Sequence, residues 1–191
     1  MSESTTIPTI SSSRRLFLFE ATALTLSGTA VALLAGAPRL ARAAGGEAMS
    51  DIQILNAALG AEHEAIAAYQ LGADSGLLGK AALKTAVQFQ GHHKAHADVL
   101  AGTIKKLGGA AGEPPAKYNF PVDQLKSEKD VLTFAAKLER GAVTAYATAT
   151  PKFADRNLAL AAASILSDEA MHWAVLRGVL GLDPVPGAFF A

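Results

Sequence analysis

Two halves of this chain repeat one design, and that repeat restricts the fold more than any other feature. Glu62 is followed seven residues later by Tyr69, and Glu139 seven residues later by Tyr146. His96 heads "HADVL" and His172 heads "HWAVL". Glu62 to His96 spans 34 residues, and Glu139 to His172 spans 33. Each glutamate sits on an apolar seam: Ile52, Leu55, Leu59, Glu62, Ile66, Tyr69 in the first half, and Leu132, Ala135, Glu139, Ala142, Tyr146 in the second. Steps of three and four hold residues on one face of a helix. Two helical hairpins of the same plan are therefore expected, each with a seam glutamate on its first helix and a histidine on its second.

Local signals set the limits of four helices. Ser50 with Gln53 three residues later is a capping-box pattern. The short turn "DSGLLG" (Asp74–Gly79) makes the second helix antiparallel to the first. That helix runs from about Lys80 to Leu107, with a seam of Leu83, Val87, Gln90, His93, His96, Leu100, Ile104 and Leu107, and stops at Gly108-Gly109. The Gly- and Pro-rich stretch that follows is too long for a tight connection and reads as a crossover along the outside of a bundle. Ser127 with Asp130 opens the third helix, and Thr150-Pro151 ends it. The fourth runs from near Asp155 to near Gly181, with Leu158, Ile165, Glu169, His172 and Leu176 on its seam. The predicted fold class is all-α, a four-helix bundle with a long crossover between helices 2 and 3. The tail "DPVPGAFFA" is expected to be extended and to pack Phe189 and Phe190.

Composition narrows the chemistry. The 191 residues include no cysteine, so disulfides, thiolate metal sites and cysteine nucleophiles are excluded. Half the residues are hydrophobic and the formal charge is zero, with no basic stripe, so nucleic acid is not an expected partner. The first 43 residues read as a leader: "SRRLFLF", an apolar run over Ala21–Ala37, then Ala41-Arg42-Ala43 as a cleavage site. The paired arginines before an apolar run resemble a twin-arginine (Tat) signal. That resemblance implies passage through the Tat machinery in folded form, a periplasmic location and, once residues 1–43 are cleaved, no stable membrane span. An uncleaved anchor is the alternative. Residues 44–191 then form a single domain.

Glutamates in the middle of apolar seams need partners. Burying Glu62, Glu139 and Glu169 alone would cost about several kcal/mol each. No lysine or arginine lies at their level on the seams; Lys137 and Arg140 flank Glu139 on other faces. His93, His96 and His172 do lie at that level. Three carboxylates and three imidazoles converging in one layer suit a divalent metal, and the bland alternative is a metal-free polar layer.

In its order, the pattern resembles the ferritin-like, carboxylate-bridged dimetal family. That family places a Glu on the first and third helices and Glu-x-x-His on the second and fourth. Glu62 and Glu139 match the single glutamates, "EAMH" (Glu169 to His172) matches the fourth-helix motif, and His96 matches the second-helix histidine. The match runs over nearly all of the chain after the leader and is closest to exported bacterial members. It implies a ferritin-like bundle with metal ligands Glu62, His93, His96, Glu139, Glu169 and His172, two iron or manganese ions, and reactivity towards dioxygen or peroxide.

One position departs from the family. His93 stands where the second-helix glutamate belongs, and a neutral imidazole nitrogen has one lone pair and cannot bridge two metals. Glu169 is then left as the remaining bridge, and zinc or copper becomes possible. A single ion on a histidine-rich site, sequestered or carried without turnover, is the second functional reading; a structural bundle is the third. Around the six, His92 reads as a flanking histidine at the rim, a ligand from a rotated helix or a partner behind the ligands, and His63 and Glu64 as neighbours of Glu62 pointing elsewhere. Asp168 either orients His172 or is solvated, and Gln90 could donate a hydrogen bond inside the site. Tyr69 and Tyr146 read as core tyrosines with satisfied hydroxyls, and Trp173 as packing. A monomer or homodimer is expected.

Overall fold

The computed structural model describes residues 50–190, so the leader expected over residues 1–43 lies outside the described residues. Four long helices make up the bundle: α1 (Asp51–Asp74), α2 (Lys80–Lys106), α3 (Glu128–Ala149) and α4 (Arg156–Val179). No strand occurs among the described residues. No described helix is long and apolar enough to cross a membrane.

Capping fixes three of the four starts. The Ser50 hydroxyl accepts from the Gln53 backbone N–H at 3.3 Å while the Gln53 side chain accepts from the Ser50 N–H at 2.8 Å. Ser127 caps α3 through the Asp130 N–H, and Asp155 caps α4 through the Asn157 N–H. A Ser50→Ala change removes one of these bonds and should cost about 1 kcal/mol. In urea titration the midpoint should fall while the slope stays constant, because the surface exposed on unfolding does not change.

The turns follow the same logic. Gly108 takes φ 79°, a left-handed conformation that ends α2. Gly109 then packs so close to α1 that a Cβ there would meet Ile52 Cγ2 at 2.8 Å. Asn56 on α1 fastens the start of the crossover, donating to the Ala110 carbonyl and accepting from the Gly112 N–H. Beyond it the crossover holds one short 3-10 turn, Val122–Gln124.

Helices α1 and α2 pack along their lengths, as do α3 and α4, and α1 also lies against α3. The core has two main parts. Ile54, Leu59, Leu100, Ile104 and Ile165 fill one end, and Tyr69, Phe89, Leu132 and Leu176 fill the other. The polar layer lies between them. The expected seam of α2 is partly wrong: Val87 and Leu107 are exposed, and Ala86, Phe89 and Ala97 point inward instead. In the tail Phe190 meets the edge of Trp173, but Phe189 is 91% exposed and packs against nothing that would bury it.

Candidate metal centre

The repeat brings its polar residues together at mid-height. Glu62, His93, Glu139, Glu169 and His172 are each no more than 2% exposed, so water does not solvate them. The His96 side chain is 14% exposed and closes the layer on its outer side. Two groups form, sharing His93 and Glu169. One adds Glu62 and His96; the other adds Glu139 and His172. Within each group, one nitrogen or oxygen from every residue lies within 4.8 Å of the others.

His93 stands between the groups and presents a different nitrogen to each. Its Nδ1 lies 2.8 Å from Glu62 Oε2, and its Nε2 lies 3.3 Å from Glu139 Oε1. The substitution that sets this chain apart from the family pattern is thus at the hub of the layer. Glu169, fully buried, lies on the opposite helix, with Oε1 3.1 Å from His96 Nδ1 and Oε2 3.6 Å from His172 Nδ1.

The tyrosines are crossed between the hairpins. Tyr69 on α1 donates to Glu139 on α3, and Tyr146 on α3 donates to Glu62 on α1 at 2.6 Å. Burial, reinforced by those carboxylates, pushes both phenols well above their ordinary pKa, so they remain donors. Each seam glutamate therefore has one oxygen tied and is oriented by its partner's tyrosine. The expectation of satisfied hydroxyls holds; their partners were not legible from one helix alone.

Without metal, the layer rebalances by protons. Burial alone would lower the pKa of His172, but the neighbouring carboxylates of Glu139 and Glu169 outweigh it and raise the value to about 9. His96 behaves alike, with Glu169 and Glu62 lifting it against burial to about 9. His93 is also raised well above its usual value, against the pull of burial, by Glu139 and Glu62. Burial would raise Glu139, but His172 and His93 hold it well below the carboxylate range. Three protonated imidazoles can therefore offset three carboxylates. Charge alone does not require a metal.

Hydrogen bonding gives a sharper result. His96 Nδ1, His172 Nδ1, Glu139 Oε2 and both oxygens of Glu169 are buried with no hydrogen-bond partner. A buried polar atom left this way costs about 1–3 kcal/mol, and here five of them belong to the same layer. Nitrogens and oxygens that face one another without hydrogen-bond geometry are arranged as metal ligands are. The donor set fits the group that the family pattern implies.

A third group lies on the outer side. His92 Nδ1 is 2.8 Å from His172 Nε2 and 3.1 Å from Asp168 Oδ2. Asp168 also lies 3.3 Å from His172 Nε2 and 3.4 Å from His96 Nε2. One carboxylate thus faces the outer nitrogens of two histidines whose inner nitrogens face the centre. The i, i+4 spacing shows the His172 contact in advance, but nothing in the sequence signals the reach across to His96. Gln90 is a correction: its amide donates to the Ile66 carbonyl and to Gln70, outside the centre. His63 and Glu64 fall outside all three groups.

Comparison with known proteins agrees with this architecture. A family model described as "Ferritin-like domain" matches residues 50–182. A crystal structure of a conserved hypothetical protein from Mycobacterium tuberculosis is similar at TM-score 0.62 and 24% identity, covering 71% of this chain and 94% of that one. A structure from Bacillus anthracis, described as ferritin-like, diiron-carboxylate proteins, is similar at TM-score 0.59 and 24% identity, covering 69% and 99%. No curated protein matches. The four helices, the long crossover and the match over most of its length place this chain in the ferritin-like domain family.

Proposed function

We propose that this protein binds a pair of redox-active metal ions, iron or manganese, and that it reacts with dioxygen or peroxide at that centre. The observation that carries the reading is the set of five buried ligand atoms on His96, Glu139, Glu169 and His172 that face one another without forming hydrogen bonds. Glu62 and His96 would serve one ion, Glu139 and His172 the other, and Glu169 both, with His93 between them. The B. anthracis neighbour, described as a diiron-carboxylate protein, lends support to a dinuclear site. When bound, such ions supply electrons to an oxygen-derived oxidant; the chain supplies charge, ligand geometry and exclusion of water. The tyrosine hydroxyls hold Glu62 and Glu139 in place while the ligands are loaded. With its Tat-type leader, the protein would reach the periplasm already folded.

A second reading has its own support. Because protonated histidines can neutralise the carboxylates, a metal-free bundle whose polar layer fixes helix register is physically sound. A histidine-rich site for one zinc or copper ion lies between the two.

Metal content separates the readings. The untagged protein, purified from the periplasm and measured by elemental mass spectrometry, should carry about two equivalents of iron or manganese, one for each ligand group. One equivalent of zinc or copper would make the site mononuclear. No metal, with unchanged stability in chelator, would leave the structural bundle. Asp168→Ala should weaken binding by about 10- to 100-fold without removing a ligand, because it frees the outer nitrogens of His96 and His172. Competition with a chromogenic chelator would measure this.

A further inference from the structure

Beyond Tyr69, at the end of the bundle built from the α1 C-terminus and the α2 N-terminus, lies a pocket of about 160 Å³. All four helices contribute to its wall. Its inner face is Tyr69 and Phe89, its sides include Leu132, Leu138 and Leu176, and its rim reaches the exposed Ala81 and Val179. We infer that this pocket is a binding site for a small uncharged apolar molecule about the size of one aromatic ring.

The volume is of the order of an engineered apolar cavity of about 150 Å³ that stays dry and accepts benzene. Polar groups on the wall are already engaged. The Tyr69 hydroxyl donates to Glu139 in the layer behind, the Thr85 hydroxyl donates to the Ala81 carbonyl, and Glu128 accepts from the Gly79 N–H. A water there would find few partners, and a polar ligand would lose its hydration for little return.

The repeat supplies an internal control. The equivalent space beyond Tyr146, at the other end, is only about 30 Å³, with Ile54, Leu100, Phe153 and Ile165 in its wall. Alanines stand on the walls at both ends, Ala82, Ala86 and Ala135 at the Tyr69 end and Ala58, Ala149 and Ala162 at the other. The two halves share their polar layer, and the hollow at the Tyr69 end is the larger of the two.

Its position gives it meaning. Phe89 stacks on His172 with centroids 4.0 Å apart, and Tyr69 lies 5.3 Å from the His93 ring. An apolar molecule in the pocket is separated from the metal-ligand layer by one layer of aromatic rings. Binding itself does not depend on the metal reading.

The test uses benzene as the probe and the purified, folded chain. Methyl NMR shifts at Leu132, Leu138, Leu176 and Val179 report occupancy and its place. Saturable shifts confined to these methyls are expected. Ala82→Phe should weaken benzene binding at least tenfold while helical content and bound metal stay unchanged. Leu132→Ala should enlarge the pocket and bind naphthalene at least tenfold more tightly than the parent does. No saturable shift in the parent overturns the inference, as does undiminished benzene binding in folded Ala82→Phe. If that variant does not fold, Leu132→Ala decides, and an unchanged preference for benzene over naphthalene counts against the site. A chain without metal that still binds benzene would sink the metal reading and leave this one standing.

Discussion

Glu169→Ala is expected to abolish binding at both metal positions. Glu169 is the carboxylate shared by the two ligand groups, and it is completely buried with neither oxygen hydrogen-bonded. Removing it takes one ligand from each of the two proposed ions and one negative charge from the layer proposed to neutralise them. Losing a carboxylate that serves two ions should cost more than the roughly 10- to 100-fold typical for groups behind the ligands. The protein should then purify with metal near background. Removing Glu62 or His96 touches one group only, so His96→Ala should lose about half the metal and keep the ion beside Glu139 and His172. His63→Ala should retain all of it, since His63 belongs to no group. Elemental analysis of the three variants, with circular dichroism to establish folding, makes the comparison. Full metal retention in both Glu169→Ala and His96→Ala would end the assignment of this layer as a metal site.

Much of this arrangement was legible because helical spacing and capping are local. Ser50, Ser127 and Asp155 open helices close to where their capping signals stand, and Glu62, Glu139, Glu169 and His172 fall inward as their seams require. A seam fixes the face of a helix but not its rotation against its neighbours. That is why Val87 and Leu107 were placed inside when Ala86, Phe89 and Ala97 are. Gln90 shows the same gap: it is buried as its seam position suggests, yet its amide finds α1 rather than the centre. Contacts between helices were less legible still. The crossed Tyr69–Glu139 and Tyr146–Glu62 bonds join residues 70 and 84 positions apart, and the Asp168 contacts depend on how closely α2 and α4 approach. The apolar pocket depends on how four helices pack against one another, which gives no signal until the neighbours are known.

The metal-free protein should lose stability as pH rises from about 6.5 to about 9. His96 and His172 have folded-state values near 9 against an ordinary 6.5. Below 6.5 these histidines are protonated whether the chain is folded or not, and their full contribution is present. Between the two values the unfolded chain releases protons that the folded layer keeps, so each step upward favours unfolding. Above 9 their contribution is gone, and the buried carboxylates face neutral His96 and His172 rings. The total should be on the order of a few kcal/mol, since shifts of this size in two coupled buried groups do not add fully. Glu139 acts in the opposite sense: its depressed value contributes stability above about 4.5 that is lost as pH falls further. Stability without metal should therefore peak between these limits. Bound metal replaces the protons on the imidazoles, so the loaded protein should not show the alkaline decline, and uptake near pH 7 should release protons. Urea midpoints measured with chelator and with manganese(II), from mildly acidic to alkaline pH, would show the two curves separating as pH rises. A metal-free curve that is flat across this range would mean that the histidines are not the counter-charges of the layer.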